Sequence, residues 1–240
     1  MLCLRIQFKE LFIKFDLNLF FLFIILLQLI MSLSKKLYVS REIILEMLSH
    51  RNVEVDDYSN FSQEELDIMY KANPKLTYEM NPIDMVFPKS NFTIKYILQP
   101  KLRSKDVMKL VEDMIEENSI EEGATIILII RDTMKTEETI ENFFESILKK
   151  NNIYVQMFDI NKLLYNVTKH VLVPKHEIIS NDEKEEVIRK YNLETDDQLP
   201  LIKKNDPVAK YHGMKVGNVC KITTYSETHG IYTKYRLCVL

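Results

Sequence analysis

Lys175, His176 and Glu177 stand side by side in LVPKHEIISNDEK, residues 172–184, placing an ammonium, an imidazole and a carboxylate in three consecutive positions. Such a set can supply a general base and its orienting partner. The local sequence opposes that use. Pro174 favours an extended Val173, and on an extended backbone neighbouring side chains point to opposite faces, so His176 and Glu177 diverge. No nucleophile lies nearby in sequence. The stretch reads as a rigid connector that presents His176 to a neighbouring surface.

A second constellation would be a metal-dependent nuclease site. It needs an acidic residue and then an acidic-x-Lys triplet on a neighbouring strand, gathering carboxylates for Mg²⁺ beside a lysine. Thr93-Ile94-Lys95 occupies a suitable strand, but Thr93 stands where the second carboxylate is required. Asp84 alone is not expected to hold a metal. His50, His170, His212 and His229 show no ligand spacing, and Cys3, Cys220 and Cys238 form no CxxC pair. The residues therefore imply no catalytic group, no metal and no cofactor.

The elements around these residues fall into two grammars. Ser40 reads as the cap of a helix carrying Ile43, Ile44, Met47 and Leu48. Ser62 with Glu65 makes a capping box. Residues 74–90 hold three prolines and read as irregular. A period-two strand over 92–98, a helix from Ser104, an apolar strand over 124–130, a helix carrying Ile140 to Leu148 and a strand over 154–158 follow. That βαβαβ order implies a largely parallel sheet with helices on its faces. The turns after its strands, LQPKLRSKD and IRDTMKTEE, contain no glycine. A dinucleotide or phosphate-loop site, which needs backbone amides close to phosphate, is excluded.

Past residue 170 the pattern changes. Ser180 and Glu183 form another capping box, and residues 192–205 read as irregular. Asp206-Pro207 starts a helix, with the missing proline N–H harmless in its first turn. Gly213 ends that helix, and Gly217 turns the chain into a strand over 219–224. Gly230 leads into a strand over 231–239, which completes a terminal hairpin.

Net charge is −3, so no whole-chain basic field exists to hold nucleic acid. The cysteine count suits a reducing compartment. Residues 17–31 are almost purely apolar. A membrane anchor or signal, a buried helix, and an upstream extension ahead of a start at Met31 compete as readings of this leader.

The strings LVPKH, DPVAKYHGMKVGNVCKI and SETHGIYTKYRL, with the Leu199-Pro200 pair, resemble the assembly domain of the RNA polymerase subunit 5 family and its archaeal counterpart over residues 172–239. The resemblance implies an α/β N-terminal jaw domain of nuclease-like topology, without a nuclease site, over 34–170. A small α+β assembly domain with its terminal β-hairpin follows over 171–240. It makes residues 1–33 a spurious upstream extension, with no membrane contact and no small-molecule substrate.

It further implies a non-catalytic polymerase subunit that docks on the largest subunit, beside the other subunits, near downstream duplex DNA. The expected assembly residues are Pro174, Lys175, His176, Asp206, Pro207, Tyr211, Gly213, Glu227, Thr228, Tyr232 and Arg236. Arg131, Thr133 and Lys135 would lie near DNA, although the family's usual Thr-Pro-Ser-Ala-like run is missing there. Lys210 and Ile231 each replace an arginine of the family pattern, and Thr224 a basic residue, which retunes the contacts to the largest subunit. A free-standing nuclease and a polymerase-binding regulator are the alternatives. The abundance of isoleucine, lysine and asparagine, the bias expected of an AT-rich coding genome, and the divergent jaw tilt the source toward a large DNA virus, hence a viral factory or virion rather than a nucleus.

Overall fold

The computed structural model describes residues 31–72, 79–117, 120–132, 137–226 and 230–240. The apolar leader lies outside them up to residue 30. Among the described residues no helix is long and apolar enough to cross a membrane.

Helix α1, Leu33–His50, starts well upstream of the position that Ser40 implies, with Ser32 as its cap accepting from the Lys35 N–H. The reason is packing: Leu37 is buried upstream of Ile44 and extends the apolar stripe. Ser40 sits inside the helix, and its buried hydroxyl donates to the Leu37 carbonyl at 2.9 Å. Helix α2, Gln63–Ala72, begins at the expected box: the Ser62 N–H donates to Glu65 at 2.8 Å and the Glu65 N–H to Ser62 at 3.3 Å.

The first sheet contains β1 (Met85–Phe87), β2 (Phe92–Ile97), β3 (Thr125–Ile130) and β4 (Tyr154–Asp159), in that spatial order. β1 pairs antiparallel with β2, whereas β2, β3 and β4 run parallel. Helices α3 (Ser104–Glu117) and α4 (Glu137–Asn151) form the two crossovers. Ile126, Leu128 and Ile130 pack with α3 and α4, while Ile127 and Ile129 pack with α1. The continuous apolar run of β3 exists because both faces of the sheet are covered. β1 falls in the stretch that reads as irregular; three residues between prolines carry too little pattern to show.

The second sheet has the order β5 (Lys175–Ile178), β7 (Val219–Ser226), β8 (Gly230–Val239) and β6 (Leu201–Lys203). β5 runs antiparallel to β7, β7 to β8, and β6 runs parallel to β8. The connector is thus an edge strand, and β6 lies within residues that read as irregular. Helix α5, Asn181–Lys190, carries the Ser180–Glu183 box and buries Val187 against Leu199, Val219 and Leu237. Helix α6, Pro207–His212, covers the opposite face, where Ala209 and Met214 meet Ile222 and two free, buried thiols, Cys220 and Cys238. The protein is therefore mixed α/β with two sheets.

The two sheets meet through α6. Tyr211 is buried in the first core, among α1 residues. Arg51, at the C-cap of α1, donates to the Tyr211 carbonyl at 3.1 Å and the Lys210 carbonyl at 2.6 Å. A cation on the last carbonyls of a helix satisfies orphan acceptors and complements its dipole. Desolvation draws the Arg51 pKa down to about 10, still well above neutrality. Gly213 closes α6 with φ +69°, and a Cβ there would lie 3.0 Å from the Arg51 guanidinium carbon. Gly213→Ala is therefore expected to cost about 1–3 kcal/mol in urea unfolding, from backbone strain and displacement of the guanidinium. A loss within error would show that neither constraint matters.

Candidate interaction site

Asp84 and Lys95, insufficient for a metal on sequence grounds, form a fully buried ion pair at 3.1 Å. The Asp84 carboxylate also accepts from the N–H groups of Tyr96 at 2.9 Å and Asn81 at 2.8 Å. Lys95 donates a further bond to the Glu79 carbonyl at 2.6 Å. Burial pushes the Asp84 pKa up, opposed first by Lys95. The alternation of β2 puts Lys95 on the same face as Ile97, which is buried in the core; the pair with Asp84 is what allows an ammonium to be buried there. The lysine and two amides take three of the carboxylate's roughly four acceptor sites. Among the described residues no group of three or more His, Cys, Asp or Glu could hold a metal ion.

The expected assembly residues separate into two places. Tyr211 and Gly213 sit inside the chain, at the junction of the sheets. The Tyr211 hydroxyl lies 2.7 Å from His50 Nδ1 and accepts from Asn166 at 2.9 Å. Asp206 caps α6 by accepting from the Val208 N–H at 2.9 Å, with Pro207 in the first turn. Lys175, Pro207 and Arg236 are exposed, and Pro174, His176 and Tyr232 partly so. Lys175 pairs with Glu177 at 2.6 Å, and His176 Nδ1 lies 2.7 Å from the Pro174 carbonyl oxygen. Glu227 and Thr228 lie outside the described residues. So do Thr133 and Lys135; Arg131 is half-exposed, and its carbonyl accepts from Asn161 at 3.1 Å.

Sequence reasoning missed the ions that tie α4 to the second sheet. Buried Lys204 contacts Glu145 and stands 3.8 Å from Glu141, and Lys210 reaches Glu141 at 3.4 Å. Lys210, which takes an arginine's place in the family pattern, thus points into the junction. Tyr154 donates to the Met214 carbonyl at 2.8 Å, and Gln156 to that of Lys210 at 3.2 Å. The paired glutamates one turn apart on α4 are the available signal, but nothing local names their partner.

The cleft beside this junction is lined by His50, Arg51, His176, Glu177 and His212, among others. Burial first, then electrostatic opposition from His176, Arg51 and His50, pulls the His212 pKa down to about 4, with Glu177 opposing. His212 is therefore neutral at physiological pH and adds no charge beside Arg51.

A family model described as RNA polymerase Rpb5, C-terminal domain, matches residues 165–238, which take in the second sheet up to its last residue and the segment just before it. The chain is 32% identical over 199 residues to "DNA-directed RNA polymerases I, II, and III subunit rpabc1" of Dictyostelium discoideum, covering 83% of this chain and 95% of that one. It is 28% identical over 206 residues to "DNA-directed RNA polymerases IV and V subunit 5B" of Arabidopsis thaliana, covering 85% and 89%. A 78-residue match at 47% identity joins it to the RPABC1 subunit of Caenorhabditis elegans, over 32% of this chain and 36% of that one. The architecture and these likenesses define a non-catalytic, structural subunit of a multisubunit transcription enzyme. The chain belongs to the RNA polymerase subunit 5 family. These relatives come from cellular eukaryotes and give the viral reading no support.

Two outcomes test the site chemistry. Lys95→Met should cost about 3–5 kcal/mol in urea unfolding by leaving a buried carboxylate without its cation, and the Asp84→Asn/Lys95→Met double variant should recover part of it. For His212, the unfolded imidazole titrates near 6.5 and the folded one near 4. Its contribution is complete above pH 6.5 and drains away as pH falls toward 4, because only the unfolded state takes up the proton. Discounted for the open side of the ring, the effect should be about 1–2 kcal/mol, and His212→Gln should flatten the acid limb by that amount.

Proposed function

We propose that the chain docks on the largest subunit of a DNA-directed RNA polymerase through its second sheet, and that its first sheet forms part of the lower jaw beside downstream duplex DNA. The carrying observation is the division of labour within α6 and the hairpin. Tyr211, Gly213 and Lys210 are turned inward to fasten the two halves. Lys175, Tyr232 and Arg236 remain accessible on the strands of the second sheet. An aromatic and a guanidinium on a rigid ladder suit an assembly contact, because little side-chain entropy is lost on binding.

The jaw reading rests on the resemblance of residues 34–170 to a nuclease-like βαβαβ domain, with 171–240 as the assembly domain. The Asp84–Lys95 pair supports a jaw without hydrolytic chemistry. Of the three residues assigned to the DNA side, Arg131, just past β3, is the one described, and its guanidinium stands 3.8 Å from the Asp132 carboxylate; a net-acidic subunit needs only local basic groups to position phosphate. Polymerase partners imply a nuclear working location.

Affinity purification through a tagged chain tests this reading. Stoichiometric, salt-stable recovery of the two large polymerase subunits is expected, and Tyr232→Ala/Arg236→Ala should weaken it roughly 10-fold or more. Substoichiometric, salt-labile recovery would instead mark a regulator that borrows the docking site.

A further inference from the structure

β8 is ten residues long, but β6 covers only its last part, pairing Leu201–Lys203 with Leu237–Val239. From Gly230 to Arg236 the strand has β7 on one side and, among the described residues, no strand on the other. The direction of its backbone groups is fixed by two hydrogen bonds. The Leu237 N–H donates outward to the Pro200 carbonyl at 2.8 Å, and the Cys238 N–H donates to the Asn218 carbonyl, on the β7 side, at 2.8 Å. Backbone groups repeat every second residue along a strand. Ile231, Thr233 and Tyr235 therefore aim their N–H and C=O groups at the open side, and no described residue bonds to them there. Such an edge templates another strand unless a proline, a bulge or a covering element blocks it. Within residues 231–236 there is no proline, and the register with β7 is unbroken.

The side chains state what kind of strand would fit. Ile231 and its cross-strand partner Tyr225 are 76% and 73% exposed, an apolar pair on one face of the sheet. Lys234 and Arg236 point to the other face, and neither has a carboxylate within ion-pair distance among the described residues. An added strand would alternate in the same way: apolar residues beside Ile231, carboxylates beside Lys234 and Arg236.

We propose that an extended segment of another polymerase subunit, alternating acidic and apolar residues, adds as a strand to the open edge of β8 between Ile231 and Arg236. This rests on the docking reading above and specifies its mode: main-chain hydrogen bonds for affinity, alternate side chains for choice of partner. It accounts for a hairpin that extends well beyond the strand covering it.

The test is residue-resolved hydrogen exchange on the free chain and on polymerase isolated through it. In the free chain the amides of Ile231, Thr233 and Tyr235 should exchange fast, while those of Tyr232, Lys234 and Arg236, bonded to β7, are slow. In the enzyme the first three should slow by roughly 100-fold or more. Thr233→Pro removes one outward N–H without touching the β7 ladder. It should reduce recovery of the large subunits at least about 10-fold, whereas Thr233→Ala should not. If the enzyme assembles stoichiometrically and the three amides exchange as in the free chain, the added strand is refuted while the subunit reading stands. If no polymerase is recovered at all, the docking reading falls, and the added strand with it.

Discussion

The structure turns on the guanidinium of Arg51 held against the last carbonyls of α6. That contact carries the end of the first long helix onto a six-residue helix from the other half of the chain. A helix this short cannot stand alone, since nucleation costs more than one turn returns. It is held by Asp206 and Pro207 at its start, by Arg51 and Gly213 at its end, and by Tyr211 reaching into the core under α1. Lys204 and Lys210 then meet the glutamates of α4 on the same side. Most of the polar side chains named at the junction are paired within the chain, the buried Gln156 Oε1 being an exception, so they serve cohesion within the chain.

Much of the local grammar is legible because it is local. The Ser62–Glu65 and Ser180–Glu183 boxes, the Asp206-Pro207 start and the Gly213 stop each involve residues within a few positions of one another. β3 can be read from its composition alone. What escapes is short or distant. β1 and β6 are three residues each and exist through their neighbours, β2 and β8. Ser40 resembles a helix start because the deciding residue, Leu37, lies upstream of it. The connector reads as extended and is so, but its pairing with β7 depends on residues far later in the chain.

For the candidate site, sequence names Tyr211 and Gly213 but not the reason both are needed. That reason, Arg51, lies 160 positions from Tyr211. Lys95 is the sharper lesson. A strand lysine is ordinarily exposed, yet the sheet is covered on both sides and the ammonium is buried beside Asp84. Two backbone amides and the Lys95 ammonium converge on that one carboxylate.

The two thiols beneath α6 have a practical consequence. Burial raises the pKa of both Cys220 and Cys238 to about 11, so almost none of either is thiolate at neutral pH. Alkylating reagents will find them only when the small sheet opens, which makes sulphur labelling an internal clock for that event. A pulse of maleimide during storage or purification, read by peptide mapping at Cys220 and Cys238 and not at Cys3, would then date the loss of the C-terminal core without any engineered probe.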